Sequence, residues 1–342
     1  MISMKDIAKR CGVSVATVSK ALNGRQDIGE ATKEKIERAA SEMGYLANAS
    51  ARALKTNRTY NIGVLFVDAQ NSGFSHEYFS FVLESLKTEA ESRGYDITFI
   101  NRGAGNGNAG YLQHCRYKGV DGVIIVSADF EDPQIRELVD SEVPVVTIDH
   151  VFNNRAAVIS DNVSGMEELT RYIAEMGHRK IAYIYGDRTA VTENRLIGFY
   201  RALESAGIIP DEELVVRGAY HDPETSYRMT KELLSKGKEI DCILYPDDYS
   251  YLGGMRALQE EGIRIPEDIS TAGYDGIPLA SVISPRLTTL RQATGALGKS
   301  AAAKLVELIE HPKTALLDRI VISGSLVKGE SVRNKNESPE NE

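Results

Sequence analysis

Carboxylates and a guanidinium recur in this chain at the ends of hydrophobic runs, where they could hold a polar small molecule. Asp149 directly follows Val143-Pro-Val-Val-Thr-Ile148, and Asp275 lies in Gly273-Tyr-Asp-Gly276 after a similar run. Asp247 and Asp248 follow Cys242-Ile-Leu-Tyr245, and Arg195 opens a helical segment shortly after Tyr185-Gly186. Ionised carboxylates accept hydrogen bonds from hydroxyls, and arginine donates in a fixed fork. Tyr78, Phe79 and Tyr220 could supply flat faces for the apolar side of a sugar ring. The Asp149–Asp275 pair is equally compatible with acid–base cleavage of a glycosidic bond, and spacing alone does not separate binding from catalysis. Plainer roles also stay open: Asp149, Asp247 and Asp275 as turn caps, Asp161 and Asp248 as helix caps.

Other chemical signatures fail in context. No HExxH, compact metal-ligand cluster or GxSxG elbow occurs in the sequence, so no metal, cofactor or catalytic residue is expected. His76, His150 and His221 could approach the cleft, although ordinary polar loop residues are the expectation. Gly105-Asn-Gly-Asn-Ala-Gly110 fits the spelling of a dinucleotide-binding turn. The helical segment after it, Tyr111 to Tyr117, is short, and a flexible Gly/Asn loop is the expectation. Gly298-Lys-Ser300 resembles the end of a phosphate-binding loop, yet Ala293 stands where its first glycine would be.

The elements that must position Asp149, Asp275 and Arg195 alternate from residue 61 onward. Strands are expected at Asn61–Val67, Asp96–Ile100, Asp121–Val126 and Val143–Ile148, with a helix over Tyr78–Arg93. The series restarts with strands at Arg179–Tyr185, Asp241–Tyr245 and Asp268–Gly273, and helices at Arg195–Ala206 and Leu252–Gly262. Alternation of this kind predicts two parallel-sheet α/β lobes on one plan, with a ligand cleft beyond the carboxyl ends of the strands. We expect one lobe to comprise 60–159 and 291–317 and the other 160–290 and 318–332, with 333–342 a disordered polar tail.

The N-terminal residues follow a different pattern. Ile7, Ala8 and Cys11 give a first short helix an apolar face, Gly12 supplies a turn, and Ser14 caps a second helix. Val15, Val18 and Leu22 form that helix's expected inner face, and Glu30–Met43 a third helix. This is the helix-turn-helix pattern, whose second helix enters the DNA major groove. Val15 and Ala16 take its base-facing positions, although core packing is open for Val15. Lys20 suits a base or phosphate, while Ser14, Thr17, Asn23 and Arg25 suit backbone positioning. The chain carries a formal −9, but residues 1–60 carry +5, which leaves −14 on the remainder. A basic head on an acidic body confines DNA contact to one end. Cys11, Cys115 and Cys242 are dispersed and odd in number, which suggests a reducing compartment. With no apolar signal core or membrane-length run, a cytoplasmic protein is expected.

Asp6-Ile-Ala, Gly12-Val-Ser, Ala16-Thr-Val-Ser, Leu22-Asn-Gly24, Gly44-Tyr45 and Ala51-Arg-Ala-Leu54 together resemble the lactose-repressor/galactose-repressor (LacI/GalR) family of bacterial transcription regulators. The resemblance continues to about residue 330. It implies an all-α helix-turn-helix head over 1–46, a hinge linker over 47–59 and a periplasmic-binding-protein-like effector domain, and a regulator rather than an enzyme. Arg195, Asp275 and Asp247 match positions that commonly touch the effector, and Asp149 is a fourth. The resemblance also implies that Asn48–Thr56 folds only on near-palindromic operator DNA, paired with its mate in a homodimer. Leu54 would then wedge between base pairs with Lys55 beside it; Ala47 stands where the family often has proline. The several carboxylates and lone Arg195 favour a neutral polyol, a sugar, as the effector, with a nucleobase or other corepressor as the alternative. A sugar-binding sensor without an operator role is the second alternative.

Overall fold

The computed structural model describes residues 2–22, 27–45, 58–67, 73–103 and 110–336. The chain divides into two compact units, residues 1–59 and 60–342.

In the first unit, helices α1 (Met4–Cys11), α2 (Val15–Leu22) and α3 (Glu30–Glu42) enclose a small core. The Ser3 N–H donates to the Asp6 carboxylate at 2.8 Å and holds the start of α1. Gly12 turns the chain at φ 68°, and Ser14 Oγ accepts from the Thr17 N–H at 3.0 Å to cap α2. Ile7, Ala8, Cys11, Val18, Ala21 and Ile36 are buried together. The inner face of α2 therefore differs from expectation. The stripe facing α1 and α3 centres on Val18 and Ala21, and Val15, in the first turn, is 41% exposed. Leu22 is only partly buried at the core's margin.

The second unit contains two six-stranded sheets. The first comprises β1 (Asn61–Phe66), β2 (Asp96–Ile100), β3 (Gly122–Ser127), β4 (Val145–Ile148), β5 (Ala156–Ser160) and β11 (Arg319–Ile322). Its order is β11-β5-β4-β3-β1-β2, and every pairing is parallel. The second comprises β6 (Ile181–Tyr185), β7 (Val215–Arg217), β8 (Cys242–Leu244), β9 (Ser270–Asp275), β10 (Thr288–Arg291) and β12 (Ser325–Val327). It runs β12-β10-β9-β8-β6-β7 and is parallel except where β12 meets β10. Leaving aside β11 and β12, the two orders are the same, so β4 and β9 are equivalent strands. Parallel strands covered on both faces must be apolar throughout, and Gly122–Val126 is buried without a break.

Helices α4 (Glu77–Ser92), α5 (Tyr111–Lys118) and α6 (Pro133–Asp140) follow strands of the first lobe. Helices α7 (Asn162–Glu175), α8 (Ala190–Ser205), α9 (Pro223–Ser235), α10 (Tyr251–Glu260) and α11 (Leu279–Val282) belong to the second. Helix α12 (Thr294–Glu310) returns to the first lobe, where Leu297, Ala301 and Leu305 share a core with Val82 and Leu86 of α4. Gly298 belongs to this packing and to no phosphate loop. A Cβ there would lie 2.1 Å from Ser85 Oγ and 2.2 Å from the Val82 carbonyl oxygen.

Two expectations need correction. Residues 318–332 do not all join the second lobe: β11 pairs with β5, with Ile320 opposite Val158, while β12 and residues 329–332 after it join the second lobe as expected. An edge strand pairs where its chain emerges, and β11 emerges beside β5 after α12. Nor is the whole of 333–342 a loose tail. The Arg333 N–H donates to Ser270 Oγ (3.0 Å), and the Lys335 N–H to the Met176 carbonyl (2.8 Å). Lys335 Nζ reaches Asp241 at 2.9 Å, and Asn336 Nδ2 donates to the Glu175 carbonyl at 2.7 Å. Residues 337–342, like the Gly/Asn loop at 104–109, lie outside the described residues.

Candidate ligand cleft and DNA-reading helix

On the head, Ser14, Val15, Ala16 and Lys20 are exposed on α2. An apolar valine left in solvent at the first turn of a recognition helix is free to meet a base edge. Thr17 is half-buried, with its hydroxyl 2.8 Å from Ser14 Oγ, so the two form a local capping pair. Lys20 Nζ lies 2.6 Å from Asp27 Oδ2, both side chains about half exposed, an ion pair that water screens and a phosphate could displace. Asn23, Arg25, Leu54 and Lys55 lie outside the described residues.

In the second unit, equivalent strand ends place Asp149 just after β4 and Asp275 at the end of β9. Both residues have positive φ, 53° and 103°, which non-glycine residues adopt only when their surroundings hold them there. Asp149 Oδ1 accepts from the Ser160 N–H at 2.6 Å, and Oδ2 from the Tyr78 hydroxyl at 3.1 Å. Asp275 Oδ1 accepts from Gln292 Nε2 at 2.6 Å.

Arg195 is 3% exposed in α8, which begins earlier than expected, at Ala190 with Thr189 as its cap. Its Nε donates to Asn162 Oδ1 and one terminal nitrogen to the Pro246 carbonyl, each at 2.9 Å. The other terminal nitrogen lies 3.7 Å from Asp275 Oδ1. The guanidinium sits over the Tyr274 ring at 3.6 Å and within 5.4 Å of the Tyr220 ring centre. Tyr220 shares a hydrogen bond with Thr192 at 2.9 Å, and its ring occupies the space a Cβ on Gly186 would need.

Burial sets the electrostatics. It raises the Asp149 carboxyl above its ordinary value against the Ser160 N–H, the Tyr78 hydroxyl and Arg195. It raises Asp275 as well; Arg195 opposes the shift, and Asp247 and Asp149 add to it by repulsion. For Arg195, burial works against the charge, but Tyr220, Tyr274 and Asp275 outweigh it and hold the group above its ordinary value. Two carboxylates and one cation thus share a desolvated centre contributed by both lobes.

The remaining expected residues take different places. Both Asp247 oxygens are engaged within the lobe, accepting from the His221 N–H, the Ser250 N–H and Ser250 Oγ, each at 2.7 Å. It therefore has the capping role, steadying the backbone at His221. Asp248 caps no helix; it accepts from Thr289 Oγ1 at 2.6 Å and the Ile277 N–H at 3.0 Å. Asp161 does cap α7. Phe79 is half-buried, its ring centre 4.6 Å from that of His76.

Sequence reasoning missed a stack that crosses the lobes. His76, from the start of α4, lies on His221 at 3.9 Å, and His221 lies on Tyr249 at 4.1 Å. Neither histidine is an ordinary loop residue, and His221 has positive φ, 53°. His150 likewise stacks on Phe130 at 3.9 Å. Asn162, Ser160 and Gln292 were also missed, because each acts through a partner distant in sequence. Among the described residues no cluster of metal-ligating side chains occurs, and no helix is long and apolar enough to cross a membrane.

Residues 3–48 match the profile described as bacterial regulatory proteins, lacI family. Residues 59–329 match periplasmic binding proteins and sugar binding domain of LacI family. The HTH-type transcriptional repressor PurR of Vibrio atlanticus (strain LGP32) is 34% identical over 91% of this chain and 92% of its own. PurR of Pectobacterium carotovorum subsp. carotovorum (strain PC1) is 33% identical over 90% and 91%. Among solved structures, the Lac repressor dimer bound to operator and the anti-inducer ONPF superposes with a TM-score of 0.78 at 25% identity, covering 97% of this chain and 99% of that one. A complex of the transcriptional regulator CelR with cellobiose gives 0.71 at 28%, covering 97% and 100%. The head that carries α2 and the two-lobed unit with its buried charges thus fall under the two halves of one family, and this chain belongs to the LacI family as a DNA-binding transcriptional repressor with an effector-binding domain.

Proposed function

We propose that the repressor is controlled by a neutral polyhydroxy molecule of the sugar class, held between Asp149 and Tyr78 of one lobe and Asp275, Arg195 and Tyr220 of the other. The observation that carries this reading is the placing of Asp149 and Asp275 at equivalent strand ends, with Arg195 beside Asp275. Carboxylates that accept and a guanidinium that donates match vicinal hydroxyls, which do both. Arg195 already offsets part of the carboxylate charge, so a ligand without net charge suits the site. The similar regulator CelR is solved as a complex with cellobiose, in keeping with this class. The aromatic surfaces of Phe79 and Tyr220 favour a second reading, a flat nucleobase stacked on them.

On the DNA side, α2 lies in the major groove of a near-palindromic operator, with Val15 and Ala16 towards bases and Lys20 released from Asp27 to a phosphate. Ser14, Thr17, Asn23 and Arg25 position the backbone. Leu54 and Lys55 act in the minor groove when the linker folds between the subunits of a homodimer. Ligand binding alters the angle between the lobes and so the spacing of the paired linkers. The role is regulation and not catalysis, and it is exercised in the cytoplasm.

Calorimetric titration of the full-length protein with monosaccharides, disaccharides and free nucleobases tests the effector class. A sugar that binds and alters operator affinity in a gel-shift titration is expected, with Asp275→Asn weakening it at least about tenfold, or about 1.4 kcal/mol. Binding of nucleobases alone would replace the sugar by the second reading. A sugar that binds without any operator complex would leave only a sensor.

A further inference from the structure

Among the described residues the chain passes between the lobes at 160–162, from β5 to α7, at 292–293, from β10 to α12, and at 323–324, from β11 to β12. Residues of the cleft are fastened to the first of these crossings from both sides. From the first lobe, Asp149 Oδ1 accepts from the Ser160 N–H at 2.6 Å, while the Asp149 N–H donates to the Val158 carbonyl at 2.9 Å. From the second lobe, Arg195 Nε donates to Asn162 Oδ1 at 2.9 Å, and Asn162 Nδ2 donates to the Ser160 carbonyl at 3.2 Å. The amide can be oriented only this way, because arginine has no acceptor and a carbonyl no donor. Ser160 thus has its N–H held by a cleft residue of one lobe and its C=O held, through Asn162, by a cleft residue of the other.

The two ends of this chain of bonds are firmly built. Asp149 and Ser160 belong to the paired strands β4 and β5 and their continuations. Asn162, 4% exposed, and Arg195 lie on α7 and α8, which are in close contact: a Cβ on Gly198 would stand 2.2 Å from the Val163 carbonyl oxygen. The bond from Asn162 Nδ2 to the Ser160 carbonyl is therefore the link that spans the crossing, and rotation of the lobes about residues 160–162 falls on it.

We propose that Asn162 is the positioning residue through which ligand binding is coupled to the angle between the lobes, so that binding and response are separable in this chain. The inference rests on the cleft reading given above. A ligand held by Asp149 and Arg195 closes the path through Ser160 and Asn162 into a ring, and so favours the lobe arrangement in which all its bonds are made. Without the Asn162 link the same groups still bind, but their spacing no longer depends on the lobe angle. A ligand with equal affinity for both arrangements shifts nothing.

Asn162→Asp keeps an acceptor for Arg195 and removes the donor to Ser160. An acidic residue also suits the first turn of a 14-residue helix. Asn162→Ala removes both bonds. The full-length proteins are titrated calorimetrically with ribose, glucose, cellobiose, adenine and hypoxanthine. Affinity for an operator selected by the parent from a random-sequence pool is then measured by gel shift, with and without the compound that binds. In the parent, the bound compound should change operator affinity at least fivefold. In Asn162→Asp that factor should fall to within twofold of one, with ligand affinity in the absence of DNA within threefold of the parent's. Asn162→Ala should lose the factor too, and should bind the ligand more weakly because Arg195 loses its acceptor. A residue that only stabilised the fold would lower the thermal midpoint and leave the factor alone, so a parent-like factor in either variant overturns the proposal. Loss of ligand binding in Asn162→Asp, or of a cooperative melt in both variants, does the same, by assigning Asn162 to the binding site or to stability. Binding of a nucleobase alone would change the ligand class, and the coupling factor read with that nucleobase decides for or against Asn162 in the same way. If none of the five binds the parent, the cleft reading falls and this inference with it.

Discussion

Asp149 and Asp275 hold backbone conformations that cost a non-glycine residue roughly 1–3 kcal/mol. Each is over-determined by a short hydrogen bond to its carboxylate, from the Ser160 N–H and from Gln292. Because burial raises both carboxyls, their ionised forms oppose folding. The sign follows from proton counting. Between the ordinary carboxylate pKa, about 4, and the raised folded values, the folded chain binds more protons than the unfolded one, so this contribution falls as pH rises. Thermal midpoints of the ligand-free protein should therefore gain less on acidification from neutrality in Asp275→Asn than in the parent. Ligand affinity should run the opposite way, declining as pH drops, because a protonated carboxyl no longer accepts at both oxygens. A parent and an Asp275→Asn variant with superimposable pH profiles would show that Asp275 is not the titrating group.

At the scale of elements, the close contact of α12 with α4 rests on Gly298. Gly298→Leu should lower the urea midpoint by the equivalent of about 1–3 kcal/mol, because a side chain there meets the backbone of α4. An unchanged midpoint would mean that the two helices separate at little cost. The strands beneath Asp149 were legible in the sequence because parallel strands buried on both faces are written as unbroken β-branched runs, as Gly122–Ser127 and Val145–Ile148 are. Their ends located both carboxylates. Of helix α7 only the cap, Asp161, was legible. Gly165 interrupts its first turns, and the reason for a glycine there, closeness to Tyr274 and Leu290, appears only after folding. Three-residue β12 carries too little pattern to register, and nothing in Arg319–Ile322 names β5 as its partner. The aromatic stack escaped for a similar reason: His76 and His221 come from different lobes, 145 positions apart in the chain. Val15 shows the converse, since apolar spacing pointed inward and the packing of Val18 and Ala21 left it outside.

At the scale of the whole molecule, the sequence separates a basic head from an acidic body, and regulation requires a linker that joins them. On the minor-groove role proposed for Leu54, Leu54→Ala should lower specific operator affinity at least about tenfold, while ligand affinity without DNA stays unchanged. A gel-shift titration with an unaltered midpoint would remove Leu54 from that role. The fastening of residues 333–336 to the second lobe has a practical consequence. A fluorophore attached next to Asn336 would be held beside that lobe and so would travel with it. Cys11, Cys115 and Cys242 are all buried, so a single thiol introduced at Tyr117, 77% exposed on α5, would accept a second dye on the first lobe. Energy transfer between the two dyes would then report the opening of the cleft directly, in solution and with the native ligand residues untouched.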